Sequence, residues 1–321
     1  MIATIAAASA KATLLLGLAL VAAWAWKRRP ASARHLLWCL AIVGALAIPP
    51  LAAMLPAWRL SVLPRAETTT APSWEDWLLA LWLAGMLVVL GRLLLARIRI
   101  HLLGRRAARV TEWRHDRLRE LAVARGVDRR VELLESAEVA LPMTWGFVRP
   151  TIGLPLESRA WSRTRLDAAL AHELAHVRRF DALTQVVAEV ACAFYWFHPL
   201  AWLAARKMRV LRELACDDEV LANGIRPSQY AREMLAIVTA LEEQAGVAAV
   251  TSGMARPSQL KTRLLAVLNP SLNRARLDRG QALALAGAMA ALMLALAMIE
   301  PAAAAAAPEA CDVPGQVRTT R

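Results

Sequence analysis

Acidic side chains are scarce in this chain: 26 Asp and Glu face 39 Lys and Arg over 321 residues, for a net charge of +13. Cysteine is rarer, with only Cys39, Cys192, Cys216 and Cys311, and no Cys-x-x-Cys pair. That usage excludes a disulfide framework and a cysteine zinc knuckle. No recognised nucleic-acid motif interleaves the basic residues with aromatics, so direct nucleic-acid binding is not expected. Nor does positive charge precede the first apolar run; Lys27, Arg28 and Arg29 follow it, which argues against a cleaved signal peptide.

Apolar residues, by contrast, are abundant: they make up 58 % of the chain and mean hydropathy is +0.39, above the usual globular share. Four segments are long enough to span about 30 Å of hydrocarbon: Ala12 to Trp26 (extendable toward Ile2 past Lys11), Leu36 to Trp58, Trp77 to Ala96 and Ala282 to Ile299. Basic residues cluster at Lys27 to Arg34, at Arg97 to Arg109 and at Arg274 to Arg279, and the positive-inside rule makes these borders cytoplasmic. The loop from Arg59 to Asp76 and the tail after Glu300, each with two arginines, then lie outside. The expected organisation is three transmembrane helices over 1–96, one cytoplasmic domain over 97–280, a fourth transmembrane helix over 281–300, and a short outer tail over 301–321 with an alanine run at 302–307. Excess basic charge at the borders also predicts attraction to anionic membrane lipids.

Within the predicted cytoplasmic domain, His172, Glu173 and His176 form His-Glu-x-x-His in a stretch read as helix from Ala168 to Arg179. Four residues along a helix bring the imidazoles to one face on neighbouring turns, within reach of one tetrahedral Zn2+ at about 2.0 to 2.1 Å. Glu173 lies beside them, placed to take a proton from a water on the metal. The same helix already has an apolar surface in Leu170, Leu174, Ala175 and Val177, so burying three titratable groups there is costly unless their charge and lone pairs are used. Thr164 and Asp167 suggest a capping box for this helix. Upstream, Val131 to Leu134 and Thr151 to Leu154 read as short strands, following a helix over Glu112 to Arg125. A small sheet before the metal helix can offer an edge strand to an extended substrate, or serve as a structural hairpin with no substrate role.

A catalytic zinc usually has three protein ligands. Glu213 is the best third candidate, on a helix over Arg206 to Leu221 that also presents Asp217 four residues on; His198, Glu189 and Asp218 compete. The apolar stretch Ala182 to Ala204 resembles a further span, but a full crossing would separate Glu213 from the histidines by about 30 Å. His198-Pro199 near its middle predicts a membrane-associated helical hairpin instead, returning Glu213 to the metal. Asp217 is expected to orient a ligand histidine or an arginine, against the simpler reading of a salt bridge to Arg209 or Arg212. Asp181 has a weaker claim, against a pairing with Arg178 three residues earlier.

Several of these residues fall in extended motifs: Leu141-Pro142-Met143-Thr144-Trp145-Gly146-Phe147, Ala171 to Arg179 with Asp181, His198-Pro199-Leu200-Ala201-Trp202, Arg212-Glu213-Leu214-Ala215-Cys216-Asp217, and the segment Lys261 to Leu268. Together they resemble the BlaR/MecR-type integral-membrane zinc metallopeptidases, antirepressors of bacterial gene regulation, over nearly the whole chain. The resemblance implies an α-helical membrane protein with a cytoplasmic zincin-like α+β metallopeptidase domain, in the bacterial cytoplasmic membrane. It gives Glu213 the third metal-ligand role and Glu173 the catalytic one. It implies peptide-bond hydrolysis of a cytoplasmic protein, commonly a winged-helix repressor, with self-cleavage and a homodimer as further family traits. Antibiotic-sensing members continue after the last span into an outer penicillin-binding domain, whereas about 21 residues follow it here, so direct β-lactam reception is not expected. Membrane quality-control and prenyl-protein peptidases resemble the chain in the metal site alone. A non-catalytic, metal-holding signal transducer is the remaining alternative; the intact Glu173 argues against it, because a structural site needs no general base.

Overall fold

The structure, a computed structural model, describes residues 2–56, 58–63, 74–251 and 257–303. Cys311, most of the loop expected outside (64–73) and the tail beyond residue 303, with most of the alanine run, lie outside the described residues.

Among the described residues, four helices are long and apolar enough to cross a membrane: α1 (Ile2–Ala25), α2 (Ala31–Met54), α3 (Trp74–Arg106) and, late in the chain, a helix over Arg279–Met298. A strand β1 (Trp58–Leu63) follows α2. After α3 come β2 (Ala108–Arg109), α4 (Glu112–Ala124), β3 (Glu132–Ser136), β4 (Met143–Trp145) and β5 (Thr151–Pro155). The metal-motif helix is α5 (Arg163–Arg178), followed by α6 (Asp181–Phe194), α7 (Pro199–Ala222), α8 (Pro227–Thr251) and α9 (Pro257–Leu268). The chain then forms α10 (Arg279–Met298) and β6 (Ile299–Ala303).

The sheet is mixed, in the order β2-β3-β5-β4, with β3 and β5 parallel and the outer pairs antiparallel. A tight turn between β4 and β5 rests on Gly146, at φ 79°, where a Cβ would lie 2.5 Å from the Arg149 carbonyl oxygen. Gly153 in β5 leaves room for the Trp145 ring across the pair.

Helix α5 lies between two packed layers. Leu166, Leu170, Leu174 and Val177 recur at helical spacing and pack on Leu133, Ile152 and Leu154 of the sheet and on Leu118 and Leu121 of α4. Ala168 and Ala171 on another face meet Val220 of α7, Tyr230, Ala231 and Met234 of α8 and Val267 of α9. Each buried leucine contributes about 1.5 to 3 kcal/mol. Leu170 and Leu174 are both fully buried, and truncating either to Ala would loosen α5 by about 2 to 5 kcal/mol.

The chain reverses between α6 and α7 at residues 195–198, around the expected His198-Pro199 break. Gln185 meets Arg212 at 2.5 Å and the Cys192 thiol meets the Ala201 carbonyl at 3.8 Å, so the two helices run side by side in opposite directions. This hairpin shares one core with α1 and α2, through Leu16, Trp38, Ile42, Tyr195, Met208 and Leu211. Tyr195 donates to the Ala45 carbonyl of α2 at 2.8 Å. Helix α3 has no buried residue and touches the hairpin through Trp82, whose indole donates to the Phe194 carbonyl at 3.1 Å. At the far ends of α2 and α10, β1 and β6 pair in parallel.

The cap of α5 is Ser162, whose hydroxyl accepts from the Arg165 amide at 3.2 Å, not the Thr164–Asp167 box. Ser162 is extended, so the first helical turn begins one residue later, and Asp167 is drawn across to Arg117. Asp181 does not pair with Arg178: Phe180, left-handed at φ 56°, ends the helix between them, and Arg178 reaches Glu219 instead.

Candidate metal centre

The two imidazoles stand on one face of α5, with His172 Nε2 and His176 Nε2 3.2 Å apart. Glu213, carried back by α7, places Oε2 3.5 Å from the first and 3.9 Å from the second. Tetrahedral zinc with bonds of about 2.0 to 2.1 Å needs ligand atoms about 3.3 Å apart, so two nitrogens and one carboxylate oxygen form the three-ligand face of such a site. The donor set and its spacing fit the ion. His198, Glu189 and Asp218 are engaged elsewhere, with Thr13, with Arg97 and Gln185, and with Arg274.

Hydrogen bonds behind the ligands fix which atom faces inward. Asp181 Oδ2 sits 2.8 Å from His176 Nδ1, which places the proton on Nδ1 and leaves the Nε2 lone pair for a metal. The left-handed Phe180 makes this possible, because it turns the chain sharply enough for the first residue of α6 to reach back to α5. On His172, Nδ1 faces Tyr230 Oη at 3.0 Å and Asp217 Oδ1 at 3.2 Å, while the Tyr230 hydroxyl donates to Asp217 at 2.7 Å. Arg263 grips Asp217 with both Nε and Nη2, at 2.8 and 2.7 Å. Arg212 donates to Glu213 Oε1 at 3.0 Å, leaving Oε2 as the oxygen turned to the histidines.

Electrostatics describe a site with a surplus of carboxylate charge. Against burial, His176, His172, Arg263 and Arg212 hold the Glu213 carboxyl well below the usual range. Burial and Arg263 oppose a proton on His172, yet hydrogen bonds to Asp217 and Glu213 push its value up to about 9. In the metal-free protein that proton supplies one of the two positive charges a divalent ion would bring. Asp181, resisting burial, is held down to about 2 by His176 and Arg179. Cys216 Sγ also approaches His176 Nδ1 and Asp181 Oδ2, each at 3.3 Å. Burial pushes that thiol well above its ordinary value, so in the metal-free protein Cys216 is a neutral donor to Asp181.

Glu173 is buried beside the triangle, and its Oε2 accepts from the Thr144 hydroxyl of β4 at 2.7 Å. Edge strand β4 thus borders the site. A cleft of about 600 Å3 opens here, bounded by Thr144, Glu173 and Glu213 on one side and by Met234, Leu260 and Arg263 of the late helices on the other.

The structure therefore brings together His172, Glu173, His176, Glu213, Asp217 and Asp181. Asp217 pairs with Arg263, Tyr230 and His172, not with Arg209 or Arg212. Sequence reasoning gave no role to Tyr230, Arg263 or Thr144. Thr144 and Arg263 do fall within the motifs named above, and Tyr230 is one of only two tyrosines.

Residues 14–267 match the family described as BlaR1 peptidase M56. The chain belongs to the BlaR1 peptidase M56 family. The matched span takes in the ligand triangle, Glu173 and the residues behind them. M56 peptidases are metallopeptidases, which agrees with the donor set found here. The chain is also similar to the Regulatory protein BlaR1 of Bacillus licheniformis, 27 % identical over 142 residues. That alignment covers 44 % of this chain and 24 % of the relative, so the chain spans about a quarter of that protein's length.

Proposed function

We propose that the protein is a membrane-embedded zinc metalloendopeptidase that hydrolyses a cytoplasmic regulatory protein in antirepressor-type signalling. One observation carries the reading: the 3.2, 3.5 and 3.9 Å triangle of His172, His176 and Glu213, with Glu173 buried alongside. Bound zinc would supply a Lewis acid and a water acidified to near neutrality. The protein's own part is to position groups and move a proton. Thr144 ties down Glu173 Oε2, leaving Oε1 to take a proton from the attacking water and to deliver it to the leaving amine. A substrate backbone laid along β4 would have its scissile carbonyl over the ligand triangle. This is the zincin-like arrangement, with the sheet edge and the metal helix as its two halves.

The substrate assignment, a regulator such as a winged-helix repressor, rests on family membership and on the orientation of the spans. Basic borders at Lys27 to Arg34 and Arg97 to Arg109 support a cytoplasmic site in the bacterial inner membrane. The β1–β6 pairing supports one common side for the ends of α2 and α10, as the three-plus-one arrangement of spans requires. Self-association as a homodimer and contact with anionic lipids belong to the same reading.

The test compares the wild-type chain and Glu173→Gln, each in lipid nanodiscs, by proteomics of added cytoplasmic extract and by zinc content. Fragments that disappear in the variant while zinc stays bound support the peptidase, with a rate loss of about 100- to 10,000-fold on any one substrate. Identical fragment sets with zinc retained would point instead to a non-catalytic transducer. Fragments from unfolded membrane proteins alone would favour a quality-control peptidase.

A further inference from the structure

The His176 side of the metal centre does not end in the peptidase helices. Asp181 Oδ2, bonded to His176 Nδ1, also faces Arg179 Nε at 3.4 Å, and Arg179 Nη2 lies 3.1 Å from Nδ1 of His35. His35 is in the second turn of α2, one of the four membrane-length helices, and is 5 % exposed. A guanidinium can only donate, so His35 Nδ1 is the acceptor and the ring is neutral in this contact. A continuous chain of polar contacts therefore runs from α2 through Arg179 and Asp181 to a ligand imidazole. Asp181 is almost fully buried and its Oδ1 has no partner, so little besides this chain and the Cys216 thiol fixes how the carboxylate is turned.

We propose that His35 is a positioning residue for the metal site, holding Arg179, and through it Asp181, so that His176 keeps its Nε2 lone pair on the ion. The proposal rests on the metal-centre reading above. It makes α2 part of the metal centre. Displacement of α2 against α5 then loosens a ligand without touching it. The ordinary alternative is a core histidine satisfied by the nearest donor, and it predicts no effect on the metal.

The test uses the full chain in nanodiscs and measures zinc affinity by chelator competition, together with the visible absorption of the Co2+-loaded protein, which reports ligand geometry. His35→Leu removes the acceptor and is expected to weaken zinc about tenfold, the lower end for residues behind a ligand, and to alter the Co2+ bands. His35→Asn, which keeps an acceptor oxygen, is expected to restore affinity to within about threefold of wild type. Unchanged zinc affinity and Co2+ bands in His35→Leu, or equal losses in the Leu and Asn variants, would overturn the proposal. Should His35→Leu fail to fold, Arg179→Met and Arg179→Lys decide. Loss in the first and retention in the second support the chain of contacts, and equal affinities refute it. His176→Ala separates the two levels of the claim: if it leaves zinc affinity intact, the metal-centre reading has failed, whatever His35 does.

Discussion

The two candidate ligand histidines of α5 are held by the same device built from different parts of the molecule. On each, a buried aspartate takes Nδ1 and an arginine takes the aspartate. For His172 the pair is Asp217 and Arg263, from α7 and α9, and Tyr230 of α8 closes the group. For His176 it is Asp181 and Arg179, from the junction of α5 and α6, and the outermost member is His35 of α2. Completeness also differs. Both oxygens of Asp217 are bonded, whereas Asp181 Oδ1 is buried without a partner. One side of the candidate metal site is thus locked inside the peptidase fold, and the other is fastened, more loosely, to a membrane-length helix.

Removing each aspartate should break this symmetry most visibly. Asp217→Asn takes away the charge facing a two-pronged, largely buried Arg263, and losing one partner of such a pair costs about 3 to 5 kcal/mol. In Asp181→Asn the amide oxygen can keep the contacts to His176 and Cys216, and what is lost is the charge facing Arg179 at 3.4 Å, so its cost should be smaller by about 2 kcal/mol. Both should weaken zinc about 10- to 100-fold, since each orients a ligand. Denaturation of the zinc-free proteins, beside chelator competition, checks the pair; equal stability losses would erase the distinction between locked and loose sides.

Acidity sharpens the same contrast on the His172 side. Its value of about 9 lies above the ordinary 6.5, so the fold favours the protonated ring. Stability of the zinc-free protein from this source is fully present below about pH 6.5 and is lost as pH rises through about 9. Zinc must displace that proton, so its apparent affinity should climb about tenfold per unit between these limits and then level off. In Asp217→Asn, where the leading hydrogen bond to the ring is weakened, the climb should end at lower pH. A zinc affinity independent of pH across this window in the wild type would contradict the charge-surplus account of the site.

Much of the locked and loose arrangement was legible locally, and the rest could not be. His172, Glu173 and His176 share a face because helical spacing dictates it, and His198-Pro199 marks the reversal because proline suits the first position of a new helix, α7. Glu213 and Asp217, four apart, share a face for the same reason as the histidines. Tyr230 and Arg263 were not legible, because their approach depends on how α8 and α9 register against α5 through Ala168, Ala171, Met234 and Val267, and no local pattern encodes that. The Asp181 to Arg178 pairing failed for a different reason. The three-residue rule presumes an unbroken helix, and a left-handed Phe180, which carries no glycine-like warning in the sequence, breaks it.

Tyr230→Phe is the mildest way to probe the locked side. Its hydroxyl lies between His172 Nδ1 and Asp217, but the imidazole already approaches Asp217 Oδ1 directly at 3.2 Å. Loss of the hydroxyl therefore removes one donor to a carboxylate that Arg263 still grips twice, a cost of about 1 kcal/mol or less. Packing of the ring against Ala168, Ala171 and Val220 survives the substitution. Zinc affinity should fall about threefold, well short of the Asp217→Asn loss. A fall as large as that of Asp217→Asn would mean that Tyr230, and not the aspartate, is what holds the His172 ring in place.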